Sequence, residues 1–251
     1  MAHTEIAWLE STGSQYIDTG VCANPHYIAE VSFMVAEQTA SWDAVFGAWN
    51  GSYSRFTCRF MNSTDGGIGF QYSSTGAGIT AYFESNFPKS AFIDTFHKVR
   101  LEKNAAYIDC LPVYTFSAPG DRVSYPYSLY LFALNNTGTP ACHGYIRLRY
   151  CRIWNDTTLV RDFIPVLDEN DIPCLYDKVS GTYFYNKGTG QFGYCRKSWE
   201  IQQETLEAFA DQARRLSGMK GELTTAQMKA IFAGITNDEA ESFPQAETGA
   251  F

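Results

Sequence analysis

The feature that most constrains this chain is a two-residue alternation of apolar and polar side chains, repeated in short runs. In YIAEVSFMV, Tyr27, Ala29, Val31, Phe33 and Val35 share one face. SRFTCRF sets Phe56, Cys58 and Phe60 against Arg55, Thr57 and Arg59. GIGFQY alternates Ile68, Phe70 and Tyr72, and HKVRLEK sets Val99 and Leu101 against Lys98, Arg100 and Glu102. Successive side chains of a strand point to opposite faces, so each run is a strand with one face turned to a core. YSLYLFAL is apolar on both faces and belongs in mid-sheet. YIRLRYCRIW alternates through Ile146, Leu148 and Tyr150, then resumes out of phase at Cys151 and Ile153. A slip of one residue predicts a β-bulge. Gly, Asn, Ser and Thr separate the runs, and no helix-period segment lies between them. The pattern predicts two antiparallel sheets packed face to face and argues against parallel βαβ units.

The pattern changes near residue 198. In ETLEAFADQARRLSG, Leu206, Phe209, Ala210, Ala213 and Leu216 recur at helical steps, and Gly218 ends the helix. In ELTTAQMKAIFAGI, Thr224 and Gln227 have the spacing of a capping box, with Leu223 stapled to Met228. Met228, Ile231, Phe232 and Ile235 then line one face. The expected organisation is a β-sandwich over 1–197, a helical hairpin over 198–236 and a loose acidic end over 237–251. Leu206, Phe209, Leu216, Met228, Ile231, Phe232 and Ile235 form more apolar surface than one short helix pair can cover. They are the predicted assembly residues, toward further copies of the chain or a neighbouring protein.

Composition narrows the function. The chain is 45% apolar and 16% aromatic, enough for a large core, and only 18% charged. A net charge of −8 leaves no basic stripe for a phosphate backbone or an anionic membrane. No run approaches the length needed to span a bilayer. MAHTEIAWLE has neither the basic region nor the apolar run of a secretion signal. The expectation is therefore synthesis in a cytoplasm and release by lysis or on a larger particle. The seven cysteines are odd in number and contain no CxxC pair. Cys58 and Cys151 sit at apolar positions of strands, so mostly free, buried thiols are expected rather than metal ligands.

Five segments, in order, carry a resemblance: AWLESTGSQYIDTGV, AVFGAWN, LYLFALNNTG, IRLRYCRIWNDTTLVRDFIPVLD and CLYDKVSGTYFYNKGTG. Together they resemble concanavalin A-like, laminin-G-type jelly-roll domains of phage structural proteins and of gut-bacterial surface proteins, over residues 5–195. LEAFADQARRLSGMKGELTTAQMKAIFAGI resembles a short helical segment of phage tail and fibre proteins. The resemblance implies a jelly-roll sandwich on a virion, in contact with host-surface glycan and with itself or other virion proteins. A bacterial surface or secreted carbohydrate-binding module is the alternative. A glycoside hydrolase is weaker, because no ExDxxE-type array of carboxylates is present. The resemblance also implies that LYDKVSGTYFYNKGTG is the domain's last hairpin. Lys178 to Gly181 would form the turn, with Tyr183 and Tyr185 on one face and Phe184 on the other.

Candidate ligand contacts come from aromatic and amide side chains in Gly-rich loops. Aromatic faces stack on the apolar faces of sugars while amides and carboxylates bind hydroxyls. GAWNGSYS, NSTDGG and YSSTGAG supply Trp49, Tyr53, Asn62, Asp65 and Tyr72. Calcium is compatible with such a fold, and Asp43 and Asp65 are the carboxylates around which a site would form. No other cofactor and no catalytic residue is expected.

Overall fold

The alternating runs form strands. The structure, a computed structural model, describes residues 3–22, 26–50, 54–73, 79–102, 105–116 and 126–197. In chain order the first strands are β1 (Thr4–Glu10), β2 (Ile17–Cys22), β3 (Tyr27–Val35), β4 (Ala44–Asn50), β5 (Ser54–Phe60), β6 (Gly67–Ser73) and β7 (Ile79–Pro88). A short 3-10 helix (Lys89–Phe92) leads to β8 (His97–Leu101), β9 (Ala105–Ile108) and β10 (Leu111–Thr115). Then come β11 (Ser128–Leu131), β12 (Leu134–Asn136), β13 (Thr139–Ala141), β14 (Ile146–Asn155), β15 (Thr158–Leu167), β16 (Pro173–Asp177), β17 (Thr182–Phe184) and β18 (Gly193–Arg196). The chain divides into two compact units, Met1–Cys195 and Arg196–Phe251. The helices expected over 198–236, with their seven assembly residues, lie outside the described residues.

The strands form two sheets. The first runs β10-β9-β8-β3-β14-β1-β15-β16-β17, with β18 also on β1. The second runs β13-β12-β4-β5-β6-β7, with β11 joining β4 to β2. Most of the pairing is antiparallel, whereas β12 runs parallel to β4. The arrangement is mainly β and consistent with a jelly-roll sandwich. Its core is the set of residues that alternation turned inward: Val31, Phe33, Phe46, Phe56, Phe60, Phe70, Val99, Leu148, Cys151 and Phe163 are all essentially inaccessible to water. YSLYLFAL lies in mid-sheet as its two apolar faces require, because β11 has β2 on one side and β4 on the other.

The bulge in β14 is present, one step earlier than the sequence suggested. The register against β3 shifts between Leu148 and Tyr150. Tyr150 therefore faces outward, where its hydroxyl donates to Glu30 at 3.2 Å. Arg152 beside it pairs with Asp162, which is thus a local ion-pair partner. Cys58, Cys151 and Cys174 are buried free thiols, while Cys22 and Cys110 are exposed.

The 3-10 helix carries the connection from the second sheet to the first. It begins with Lys89, whose ammonium is fully buried. Nζ lies 2.5 Å from Asp43 Oδ2 and donates to the carbonyls of Thr39 and Ser41 at 2.5 and 2.8 Å. All three ammonium donors are used. Asp43 is saturated in turn, accepting from Thr39 Oγ1 at 2.9 Å and Ser41 Oγ at 2.6 Å. Removing one partner of such a pair strands a charge in a medium that cannot solvate it. Lys89→Met and Asp43→Asn are each expected to cost about 3–5 kcal/mol. The double variant should cost less than their sum, because the two residues share one interaction. Urea unfolding of the full chain, followed by tryptophan fluorescence, measures all three. Losses of under about 1 kcal/mol would show that the pair is dispensable.

Candidate functional site

The residues chosen from Gly-rich loops do not converge. Trp49 and Tyr72 lie at one end of the β4–β5–β6 array, near the Trp49↔Arg55 and Phe56↔Tyr72 pairs. Asn62 and Asp65 lie in the β5–β6 turn at the other end, the length of a seven-residue strand away, roughly 20 Å. Tyr72 is a correction: it is 1% exposed and packs on Phe56 and Phe116, so it offers no face to a ligand. It continues the alternation of Ile68 and Phe70, and that periodicity outweighs the loop composition beyond it. Trp49 is half-buried beneath the Arg55 guanidinium, which lies 3.6 Å from its ring. Tyr53 lies outside the described residues.

The calcium expectation is also corrected. Asp43 holds the Lys89 ammonium, so the cation at this carboxylate belongs to the protein. Asp65 accepts from the Ser90 amide at 2.8 Å, from Ser90 Oγ at 3.0 Å and from Gln38 Nε2 at 3.1 Å. Its role is to clamp the β5–β6 turn onto the 3-10 helix. Among the described residues no group of three His, Cys, Asp or Glu side chains is placed to hold a metal ion. The surroundings of Asp43 and Asp65 among the described residues therefore do not fit a divalent cation.

Among the described residues a concavity lies elsewhere, where loop 11–16 meets loop 185–191 beside the edge strands β2 and β17. Two open hollows of about 350 and 320 Å³ share Lys187. Ser14, Tyr16, Pro140, His143 and Thr189 line the first. Asp18, Gly20, Tyr183, Phe184 and Tyr185 line the second. The floor is laced by hydrogen bonds between segments distant in sequence. Lys187 N donates to Tyr16 O at 2.9 Å, Thr189 N to Ser14 O at 3.2 Å, and Tyr16 N to Asn186 Oδ1 at 3.1 Å. Gln15 Nε2 donates to Gln191 O at 3.1 Å. Gly188 lies against this lacing: a Cβ there would sit 1.9 Å from Ser14 O. On the rim, Gly20 N is held by Asp18 Oδ1 and Val21 N by Thr19 Oγ1.

The β16–β17 hairpin orients the aromatic wall. Gly181 has φ +69° and donates to Asp177 O, as the expected Lys178–Gly181 turn requires. Phe184 turns inward onto Phe163, with ring centroids 4.9 Å apart. Tyr183 turns outward onto Tyr176 at 5.2 Å. Tyr185, 42% exposed, donates its hydroxyl to Asp168 at 2.9 Å, which holds the ring in place. Burial, and then this bond, push the Tyr185 phenol up to about 12. Burial alone would raise Asp168, but bonds from the Ile172 and Asn170 amides and from Tyr185 outweigh it and leave the carboxyl below its ordinary value. Among the described residues the Lys187 ammonium has no ion-pair partner. The hollows thus combine exposed and half-buried aromatic rings, hydroxyls and one cation, with a single carboxylate, Asp18. Loop composition did not point to Tyr16, His143 or Lys187. The available signal was the Tyr183/Tyr185 alternation opposite Phe184, which the sequence shows.

No family model matches the chain, and no curated protein matches it. Solved structures with a similar arrangement include the CBM40 module of Ruminococcus gnavus IT-sialidase bound to α2,3-sialyllactose. It has 14% identity and a TM-score of 0.42, over 62% of this chain and 91% of that one. Mouse laminin α1 domains LG4-5 give 15% identity and a TM-score of 0.45, over 74% of this chain and 48% of theirs. A β-1,3-glucanase from Mycobacterium marinum gives 11% and 0.35, over 55% of this chain and 67% of that one.

His143 gives the hollow a pH signature. Burial pulls its imidazole below the ordinary value of 6.5, with hydrogen bonding to the Gln15 backbone opposing the shift. The folded state therefore prefers the neutral ring, and the unfolded chain binds the proton more readily. The stability this contributes is complete above about 6.5 and is lost as pH falls from there toward the folded value. Urea midpoints at neutral and mildly acidic pH are expected to drop more for the wild type than for His143→Gln.

Proposed function

We propose that the sandwich is a non-enzymatic, lectin-like adhesion module that engages a host-surface glycan through the groove beside β2 and β17. It is carried on a phage virion and assembled there through residues 198–236. The observation that supports the ligand class is the half-buried Tyr183 and exposed Tyr185 beside the Tyr16, Ser14, Thr189 and Lys187 side chains. Sugars present alternating apolar faces and hydroxyls, and tyrosine rings with nearby polar groups match both. Glycoside hydrolysis needs two carboxylates across the scissile bond, whereas Asp18 alone lines these hollows. The ordered sequence motifs and the tail-type helical segment support the virion setting.

A glycan array read with the full chain identifies the ligand, and titration of the best binder tests the site. Tyr183→Ala and Tyr185→Ala are each expected to weaken binding about ten-fold, the loss of one stacking face. Asn62→Ala, at the far turn, should leave binding unchanged. Equal binding by all three variants would remove the groove from consideration. For the setting, mass spectrometry of purified particles is expected to detect the chain, and Phe232→Asp to strip it from them. A chain absent from particles and secreted by a bacterium instead would overturn the virion reading.

A further inference from the structure

The outward face of the second sheet carries a cluster that the groove does not use. Arg59 follows the alternation of β5 and points away from the core, yet it is 6% exposed. Its guanidinium lies 4.2 Å from the Trp42 ring and 5.6 Å from the Trp49 ring. Its one polar contact among the described residues is Nη1 to Cys142 Sγ at 4.0 Å, and a sulfur at that range is a weak acceptor. Arg59 Nε is buried without a hydrogen-bond partner, and so is Trp49 Nε1.

Buried polar atoms are almost always paired, and each exception needs a cause. Here Arg59 Nε, Trp49 Nε1 and the neighbouring Arg55 Nε are all orphaned donors, and no carboxylate pairs with Arg59 among the described residues. The other buried cation, Lys89, shows the contrast: every one of its donors meets an oxygen. The wide face of an indole also favours a cation beside it, which holds Arg59 in place without satisfying its N–H groups.

We propose that Arg59 and Trp49 form an anion site: a ligand oxyanion (carboxylate, sulfate or phosphate) accepts from Arg59 Nε and Trp49 Nε1 together. A guanidinium presents its N–H groups in a fixed fork that suits a planar or tetrahedral oxyanion. The adjacent indole N–H adds a neutral donor, and the surrounding burial strengthens both bonds. This site is separate from the groove, so it stands or falls independently of the glycan reading. A free inorganic anion and a sugar-borne anionic group share this chemistry.

The test is a thermal-shift and tryptophan-fluorescence titration of the full chain at constant ionic strength, exchanging chloride for sulfate, for phosphate or for glucuronate. Wild type is expected to gain Tm and change fluorescence saturably with at least one of these anions. A response to sulfate or phosphate but not glucuronate assigns a free anion or a sulfo or phospho group; a response to glucuronate assigns a sugar carboxylate. Trp49→Phe keeps the ring and removes the donor, and should weaken the response about ten-fold, as for one hydrogen bond to a charged group. Arg59→Met should abolish it. Asn62→Ala, at the far β5–β6 turn, should retain it. A wild type that responds to none of the three anions, or an Arg59→Met protein that responds equally, overturns the proposal.

Discussion

A lysine ammonium sealed from water has to be met by oxygens, and Lys89 fixes where those oxygens lie. Asp43 and the carbonyls of Thr39 and Ser41 surround it, so the loop before β4 has one permitted conformation once Lys89 is buried. The next residue, Ser90, takes Asp65 from the β5–β6 turn. Two positions further on, Phe92 stacks on Phe33 at 5.4 Å and meets Phe60 edge-on at 5.2 Å. Three of the four residues of one short helix thus pin a loop, a hairpin turn and the core at the place where the chain passes from one sheet to the other. Hydrophobic burial is non-directional. The ion pair supplies the direction, because its bonds tolerate little displacement.

The groove uses the opposite strategy. Its floor is held by backbone hydrogen bonds between loops, and its aromatic side chains project from short pieces of strand. Such a surface depends on close approach of main chain, which Gly188 allows by lacking a Cβ. The aromatic wall is less adjustable. Phe184 packs on Phe163 and Tyr185 is held by Asp168, so Tyr183 beside them is displayed by an anchored hairpin. If the groove takes a glycan as proposed, side chains held this way lose little freedom on binding, which lowers the entropic cost of recognition.

Period-two alternation made most of the sandwich legible in the sequence. It placed Val31, Phe33, Phe56, Phe70 and Val99 inward, and the phase slip in IRLRYCRIW announced the bulge. It missed the bulge's position because Tyr150 is amphipathic and fits either face. The site was less legible for a physical reason. A loop's composition reports that it is exposed, not which other loop it meets. Asp43 looked like a metal ligand because its partner, Lys89, lies far along the chain and in another element. The groove arises from contact between residues 11–16 and 186–191, and no local pattern in either segment records the other. The last hairpin, by contrast, was read correctly down to Gly181, since turn chemistry is local.

The rim bonds at β2 have a consequence for crowding. A sheet's border is a template on which a foreign strand can be zipped, and proteins at high local concentration are the most exposed to that error. Here the amides of Gly20 and Val21 are already engaged by Asp18 and Thr19 of the same strand. An arriving backbone finds two of its expected donors taken. On the other sheet β17 is only three residues long, too short to offer a register worth copying. The side of the sandwich that displays its aromatic wall is therefore also the side built to resist sticking to its own kind.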